Sequence, residues 1–155
     1  MTPEYFIRKV IVSAQENVRR GGGPFAALVV HHGEILALGT NRVTTDNDPT
    51  AHAEIVAIRE ACRQLGHFQL TGCDLYTSCE PCPMCLGAIY WARPARVFYA
   101  ATRYEAARAG FDDAFIYEEL TRPGPERRIP LIHVPDETAW MPFQAWLDHP
   151  DRKPY

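Results

Sequence analysis

Two short segments of the chain hold residue types that bind transition metals and move protons. The first is His52-Ala53-Glu54, and the second is Pro81-Cys82-Pro83-Met84-Cys85. Two cysteines three positions apart at the start of a helix face the same side of it, and an imidazole from elsewhere completes a set of three donors. Such a nitrogen and sulfur set suits zinc and leaves a fourth position open for water. The spacing therefore predicts a catalytic zinc held by His52, Cys82 and Cys85, with Glu54 as a nearby carboxylate that is not a ligand.

Other interpretations of the cysteine pair are weaker. A redox pair is expected in a thioredoxin-like βαβ unit and does not account for the His52-Ala53-Glu54 segment. A structural zinc knuckle needs four closed ligands, and only three are arranged in this pattern. Cys79 could serve as a fourth ligand, but a fourth thiolate would close the position that hydrolysis requires. The pattern therefore favours an open site.

The predicted helices place the donors at helix starts. One helix is expected over 50–65, capped by Asp48 or Thr50. Residues two apart in the middle of a helix point away from each other, so His52 and Glu54 can approach one metal only from the first turn. A second helix carries both cysteines. Two helix N-termini would then point at the metal, which stabilises thiolates and lowers the pKa of the cysteines.

The overall composition limits the class of protein. The chain has 155 residues, enough for one domain with a substantial core, and a net charge of −3. Domains that bind nucleic acid usually carry a basic patch, so the acidic balance argues against such a partner. The longest uninterrupted apolar run, 25–30, is too short to cross a bilayer, so no membrane association is expected. Five cysteines without a secretory signal indicate free thiols in a reducing cytoplasm.

The rest of the pattern predicts strands that alternate with helices after an initial hairpin. The glycines and proline at 21–24 precede a strand, which is the wrong order for a phosphate-binding loop. The alternation predicts a single α/β domain over 1–155 in three layers, whose strand order cannot be read from spacing. Apolar periodicity places strands at 25–31, 34–41, 73–78, 95–100 and 129–134, and helices at 3–19, 50–65, 82–92, 104–110, 111–120 and around 140–147.

Several stretches together resemble a known family. The segments 48–54 and 76–85, with Asn41 and 87–89, are similar to the cytidine deaminase-like superfamily. Features outside this zinc signature narrow the resemblance to the bacterial guanine deaminases, and the resemblance covers the whole length of the chain. These features are the stretches 89–94, 109–117 and 142–146 and the terminal Tyr155.

This resemblance implies a three-layer α/β/α fold with a five-stranded mixed sheet. It also implies a homodimer in which a C-terminal segment of about 136–155 is exchanged and closes the partner's active site. The metal ligands would hold one zinc ion per subunit, and Glu54 would carry protons. The implied substrate contacts are Asn41, Phe25, Ala53 and Trp91, with Asp113 and Tyr155 contributed by the exchanged part of the partner.

The reaction implied by the resemblance is hydrolytic deamination of guanine, a small purine base, to xanthine and ammonia in purine metabolism. Activated water would attack C2 of the base while Glu54 passes a proton to ring N3 and then to the leaving amine. Three alternatives remain: a cytosine or other free-base deaminase, an adenosine deaminase acting on tRNA, and a zinc-stabilised interaction module without catalysis. The acidic charge argues against the tRNA enzyme, and the unligated Glu54 argues against the inert module.

Overall fold

The computed structural model describes residues 1–155, which form two compact units. The first unit, Met1–Ala114, contains α1 (Pro3–Arg19), β1 (Ala26–His31), β2 (Glu34–Thr40), α2 (Val43–Asp46), α3 (Ala53–Leu65), β3 (Cys73–Cys79), α4 (Pro83–Ala92), β4 (Arg96–Ala101) and α5 (Arg103–Arg108). The second unit, Phe115–Tyr155, contains most of α6 (Ala114–Leu120), a 3₁₀ turn at Gly124–Glu126 and α7 (Met141–Asp148). None of the helices is both long enough and apolar enough to cross a lipid bilayer.

The sheet has four strands in the order β2-β1-β3-β4. β1 runs antiparallel to both of its neighbours, so that Val29 lies opposite Ala37 on one side and Leu75 on the other. β3 and β4 are parallel, and α4 forms the crossover between them. β1 is therefore a central strand, which agrees with its nearly continuous apolar sequence and its burial from Ala26 to Val30.

Helices cover both faces of the sheet and complete three layers. On one face, apolar side chains of α1 pack against β1 and β3, with the rings of Phe6 and Tyr76 4.9 Å apart. On the other face, α3 and α4 share an apolar cluster with Val29 and Leu75. Each face of the sheet thus buries apolar area, which is the main stabilising contribution in a domain of this kind. The predicted three-layer α/β architecture is confirmed.

A close approach between α3 and β2 fixes the position of the first turn of α3. A Cβ atom added to Gly39 would lie 2.2 Å from the carbonyl oxygen of Ala53 and 2.5 Å from the nitrogen of Ala57. The helix meets the sheet through its smallest side chains, because Ala53, Ala57 and Ala61 are completely buried. Small residues on both sides let the backbones pack directly, so the start of the helix cannot shift without opening a void.

Most predicted elements are confirmed to within two residues, but α3 and α6 each begin three residues later than predicted. α3 begins at Ala53 with His52 as its N-cap, so the prediction of Asp48 or Thr50 as the cap was wrong. Asp48 instead accepts hydrogen bonds from the backbone N–H and the hydroxyl of Thr50, in a turn before the helix. α4 likewise begins after Cys82, which is its N-cap.

The fifth predicted strand is absent, so the sheet has four strands and not five. Residues 129–134 have no regular secondary structure, although their sequence is as apolar as that of a strand. Ile129, Ile132 and Val134 are 84%, 74% and 79% exposed. A strand is stable only when a neighbour pairs with its backbone and covers one face. This segment has neither in the single chain, and Pro130 also removes one backbone donor.

Candidate metal centre and active site

The starts of α3 and α4 present the three predicted metal ligands. His52 and Cys82 are the N-cap residues of their helices, with extended backbone angles, and Cys85 lies one turn into α4 on the same side as Cys82. Both helices begin at the same end of the sheet, where the strands terminate. Gly39 lies under α3 and Thr77 lies near the end of β3, and both residues pair with Ala27 of β1. The fold therefore directs two helix N-termini at one point.

The three donor atoms are spaced as a tetrahedral zinc site requires. They all lie within 4.8 Å of one another, and His52 Nδ1 is 3.5 Å from both Cys82 Sγ and Cys85 Sγ. Zinc–sulfur and zinc–nitrogen bonds of ordinary length at a tetrahedral angle place the nitrogen about 3.6 Å from each sulfur. The residues present therefore fit a zinc ion without rearrangement, and Nδ1 is the imidazole atom that faces the metal position.

The two cysteines differ sharply in their affinity for a proton. A hydrogen bond from Cys85 is the largest of the effects that lower the pKa of Cys82 to about 4, and contact with His52 lowers it further. The same contact with Cys82, together with burial, raises the pKa of Cys85 far above its ordinary value. The hydrogen bond to Cys82 also raises the pKa of His52. The thiols thus share one proton, which a divalent metal would displace because metal ligands are thiolates.

Glu54 lies beside the metal position but outside the donor cluster. Its side chain is buried, with Oε2 3.5 Å from Cys85 Sγ and Oε1 3.4 Å from the hydroxyl of Thr77. The Thr77 hydroxyl also lies 3.0 Å from the carbonyl oxygen of Cys79, which ties this corner to the end of β3. Burial raises the pKa of Glu54. A raised pKa makes the carboxyl group hold a proton more readily, so at this position it is suited both to accept and to donate one.

A pocket of about 590 Å³ opens over these groups, and all the residues that line it lie in the first unit. His52, Glu54 and Cys82 form part of its wall. The volume is within the range of small-molecule sites in proteins. The metal position is therefore accessible to a small ligand.

Asn41 and Phe25, two of the predicted substrate contacts, also line this pocket. The backbone N–H of Val43 donates to Asn41 Oδ1 over 3.2 Å, which orients the side-chain amide. The Asn41 amide group therefore offers its NH₂ donors to a ligand. The ring of Phe25 packs edge-on against Phe111 at 4.9 Å and supplies an apolar wall.

Asp113 lines the pocket of its own chain. The chain from α5 to residue 113 belongs to the first unit, together with the other residues that line the pocket. The contribution of Asp113 from the exchanged part of a partner stays a prediction, because it concerns two chains. Burial raises the pKa of Asp113, and the Arg103 guanidinium opposes that shift. Asp113 supplies an acceptor for ligand N–H groups.

The other three predicted substrate contacts do not line this pocket in the single chain. Ala53 is completely buried, with its backbone against Gly39. Trp91 lies on the outer side of α4 and is 63% exposed. Tyr155 belongs to the second unit, where its ring packs edge-on against Trp146. Unlike Asn41, Phe25 and Asp113, these three residues are not part of the pocket wall.

Among the pocket residues that sequence reasoning missed are Glu80 and Arg103, the two that form an ion pair. Glu80 Oε2 accepts a hydrogen bond of 2.9 Å from the backbone N–H of Arg103, and Arg103 Nε lies 3.5 Å from Glu80 Oε1. The pair joins the loop before Cys82 to the start of α5. Glu80 could have been identified as a pocket residue from the sequence, because it lies two residues before Cys82. The sequence around Arg103 contains no comparable signal.

Cys79 also lines the pocket but is not part of the donor cluster. Its Sγ lies 3.8 Å from the carbonyl oxygen of Thr102, and burial raises its pKa to about 11. A thiol with a raised pKa is a poor metal ligand. The geometry therefore favours three protein ligands and an open fourth position.

Residues 1–101 match the family described as the cytidine and deoxycytidylate deaminase zinc-binding region. The chain is 56% identical to the guanine deaminase of Bacillus subtilis (strain 168), covering 100% of both chains. The X-ray structure of guanine deaminase from Bacillus subtilis is similar with a TM-score of 0.98, covering 100% of this chain and 99% of that one.

Two further relatives match a smaller part of the chain. The tRNA-specific adenosine deaminase of Aquifex aeolicus is 42% identical, over 65% of this chain and 67% of that protein. A structure of guanine deaminase from Nitrosomonas europaea is 35% identical with a TM-score of 0.69, over 72% of this chain and 65% of that one. The matched residues in the first relative amount to 101, whereas the Bacillus subtilis match includes the second unit.

Replacing single cysteines tests the ligand set. Cys85→Ser is expected to lower the zinc content of the purified protein from one per chain to less than about a tenth, because the weaker hydroxyl donor leaves only two good ligands. Cys79→Ser should keep the full zinc content, and Cys62→Ser, in the core away from the cluster, is the control. Metal analysis by mass spectrometry measures all three. Loss of zinc from Cys79→Ser would show that the site has four ligands.

Proposed function

This chain belongs to the cytidine and deoxycytidylate deaminase zinc-binding family, and we propose that it hydrolyses guanine to xanthine and ammonia. The observation that carries the proposal is its 56% identity to the Bacillus subtilis guanine deaminase along the entire length of both chains. That length includes the second unit, which lies outside the residues matched by the general family. The site geometry supports the same reaction class.

Hydrolysis requires activated water and a group that moves protons. Zinc bound by His52, Cys82 and Cys85 supplies Lewis acidity and lowers the pKa of water. Glu54 takes a proton from water and delivers it to ring N3 of the base while the water oxygen bonds to C2. Glu54 then takes the remaining proton from the oxygen now bonded to C2 and passes it to the 2-amino group. The C2–N bond breaks, ammonia leaves with the bonding electron pair, and the oxygen on C2 becomes the carbonyl of xanthine. Glu54 is nearly buried in the wall of the pocket, which limits its contact with bulk solvent.

The polar groups of the pocket complement the edges of guanine. The NH₂ group of Asn41 can donate to a ring nitrogen or to the carbonyl oxygen of the base. Asp113 can accept from the N1–H group, which guanine has and adenine lacks. Phe25 provides an apolar surface for a planar ring. The combination of one donor amide with a carboxylate supports guanine over bases without a ring N–H beside the reacting carbon.

The tRNA adenosine deaminase alternative has less support. The chain has a net charge of −3, and the pocket wall includes Glu80, Asp112 and Asp113. Phosphate groups bind Lys and Arg and are repelled by carboxylates. A free base carries no phosphate, so this pocket suits it better. We also propose a reducing, cytoplasmic location, which the five free cysteines support.

We further propose a homodimer in which the segment 136–155 closes the partner's site. No side chain of the second unit is buried in the single chain, and Trp140, Phe143 and Trp146 of the α7 region are 59%, 58% and 40% exposed. Large exposed apolar side chains in a cluster mark interaction surfaces. Tyr155 would then reach the partner's pocket, and exposed Trp91 would lie in the interface.

A substrate panel tests the proposed function. Ammonia release should be rapid with guanine and at least about a hundredfold slower, in kcat/KM, with adenine, cytosine, cytidine and a tRNA anticodon stem-loop, because only guanine satisfies both polar groups. A coupled ammonia assay on the zinc-loaded protein measures each. Preferred turnover of cytosine or of the stem-loop would replace guanine deaminase by the corresponding alternative.

The role of Glu54 predicts a separation between metal binding and catalysis. Glu54→Gln should retain one zinc per chain yet lower kcat for guanine by about 10²–10⁴-fold, because the amide cannot carry a proton. Glu60→Gln, on the exposed side of the same helix, is the matched control and should keep full activity. Near-normal turnover by Glu54→Gln would rule out its proposed role.

Removing the last six residues tests the closing segment. A chain ending at His149 should lose at least about tenfold in kcat/KM, because the pocket stays open to water, while its melting temperature changes little. Lys153→Ala keeps Tyr155 and serves as the control. Kinetics and thermal unfolding are measured together, and light scattering gives the mass of the assembly. A fully active truncated chain, or a monomer in solution, would contradict the exchange.

A further inference from the structure

One side-chain amide in the last turn of α1 joins three parts of the pocket wall. We propose that Asn17 is a positioning residue for the base, acting through Asn41 and the glycine turn 21–23. Asn17 does not line the pocket itself, so its effect on the ligand is indirect. The inference rests on the proposed function to the extent that Asn41 contacts the base.

Both hydrogens of the Asn17 amide are used within the wall. Nδ2 donates to the carbonyl oxygen of Gly23 over 2.8 Å and to the carbonyl oxygen of Asn41 over 3.0 Å. The carbonyl oxygen of Gly23 also accepts from Phe25 N–H, and the carbonyl oxygen of Phe25 accepts from Asn41 N–H. The Asn17 amide therefore closes a ring of hydrogen bonds that joins α1, the glycine turn, the residue before β1 and the residue after β2.

The glycine turn fits closely around these two amides. A Cβ atom on Gly22 would lie 2.4 Å from Asn17 Nδ2, and a Cβ atom on Gly23 would lie 3.0 Å from Asn41 Oδ1. The backbone N–H of Gly22 also donates to the Asn17 carbonyl oxygen over 2.9 Å. The absence of side chains at Gly22 and Gly23 lets the turn pack against both amides, so these two glycines serve contact as well as chain reversal.

These hydrogen bonds fix the direction of the Asn41 side chain. Its backbone N–H and C=O are held by Phe25 and Asn17, and its Oδ1 is held by Val43. The side-chain NH₂ is the polar group of Asn41 that remains for a ligand. Without Asn17, the backbone at Asn41 loses one of its anchors, and the NH₂ group must be ordered each time a base binds. The expected defect is in binding rather than in the chemical step.

Two substitutions perturb the same amide from different sides. Asn17→Ala removes both hydrogen bonds, and Gly22→Ala should push the amide away, since Gly22 does not need a left-handed backbone conformation. Each should raise KM for guanine about tenfold and leave kcat within about threefold, because one ordered hydrogen bond to the base is weakened. Gln15→Ala, exposed on the same helix, is the matched control and should leave both constants unchanged.

A double-mutant cycle separates positioning from a general loss of stability. In the Asn41→Ala background, Asn17→Ala should change kcat/KM less than about twofold, because the group it positions is gone. Full additivity of the two losses, or an unchanged KM in both single variants, would overturn the proposal. Failure of both single variants to fold would do the same by making Asn17 a structural residue. Absence of guanine turnover by the wild-type protein contradicts the proposed function instead, and the cycle is then run with the base of the panel that is turned over.

Discussion

The arrangement of the site depends on the convergence of two helix N-termini on one point. His52 and Cys82 cap their helices, so their donor atoms lie where both helix dipoles are positive. This field favours thiolates, and the contact with Cys85 lowers the pKa of Cys82 to about 4. The convergence is a property of the sheet as much as of the helices. Gly39 allows α3 to pack closely against β2, and α4 follows β3 directly in the chain.

The positive field of the two helix N-termini helps to explain why Glu54 can be buried. A carboxylate with little exposure next to sulfur ligands is costly unless a cation or hydrogen bonds compensate it. Thr77 provides one partner, and a divalent metal in the donor cluster would provide the charge. The same burial raises the pKa of Glu54, which suits a group that both takes and gives protons. Metal binding and proton transfer are therefore coupled, because buried Glu54 lies beside the metal-donor cluster.

The pocket wall and the second unit make different contributions. The first unit alone brings together Asn41, Phe25 and Asp113 around the metal position. The second unit has no buried side chains and exposes tryptophan and phenylalanine at α7. Large exposed apolar side chains in a cluster mark interaction surfaces. The proposed exchange would cover that surface and explain why the similarity to the Bacillus subtilis guanine deaminase continues through this region.

The sequence by itself determined the metal ligands and Glu54, because their chemistry is local and their spacing within each helix start leaves one geometry. It also determined four of the strands and every helix except the short α2, which lies in a segment predicted as a polar loop, since apolar periodicity reflects burial that each element must satisfy. Only the tertiary structure decided that Asp113 lies in its own chain's pocket, that Trp91 faces outward and that 129–134 is not a strand. Those outcomes depend on which distant residues meet, and a pattern of types along the chain contains no information about a strand's neighbour or a loop's path.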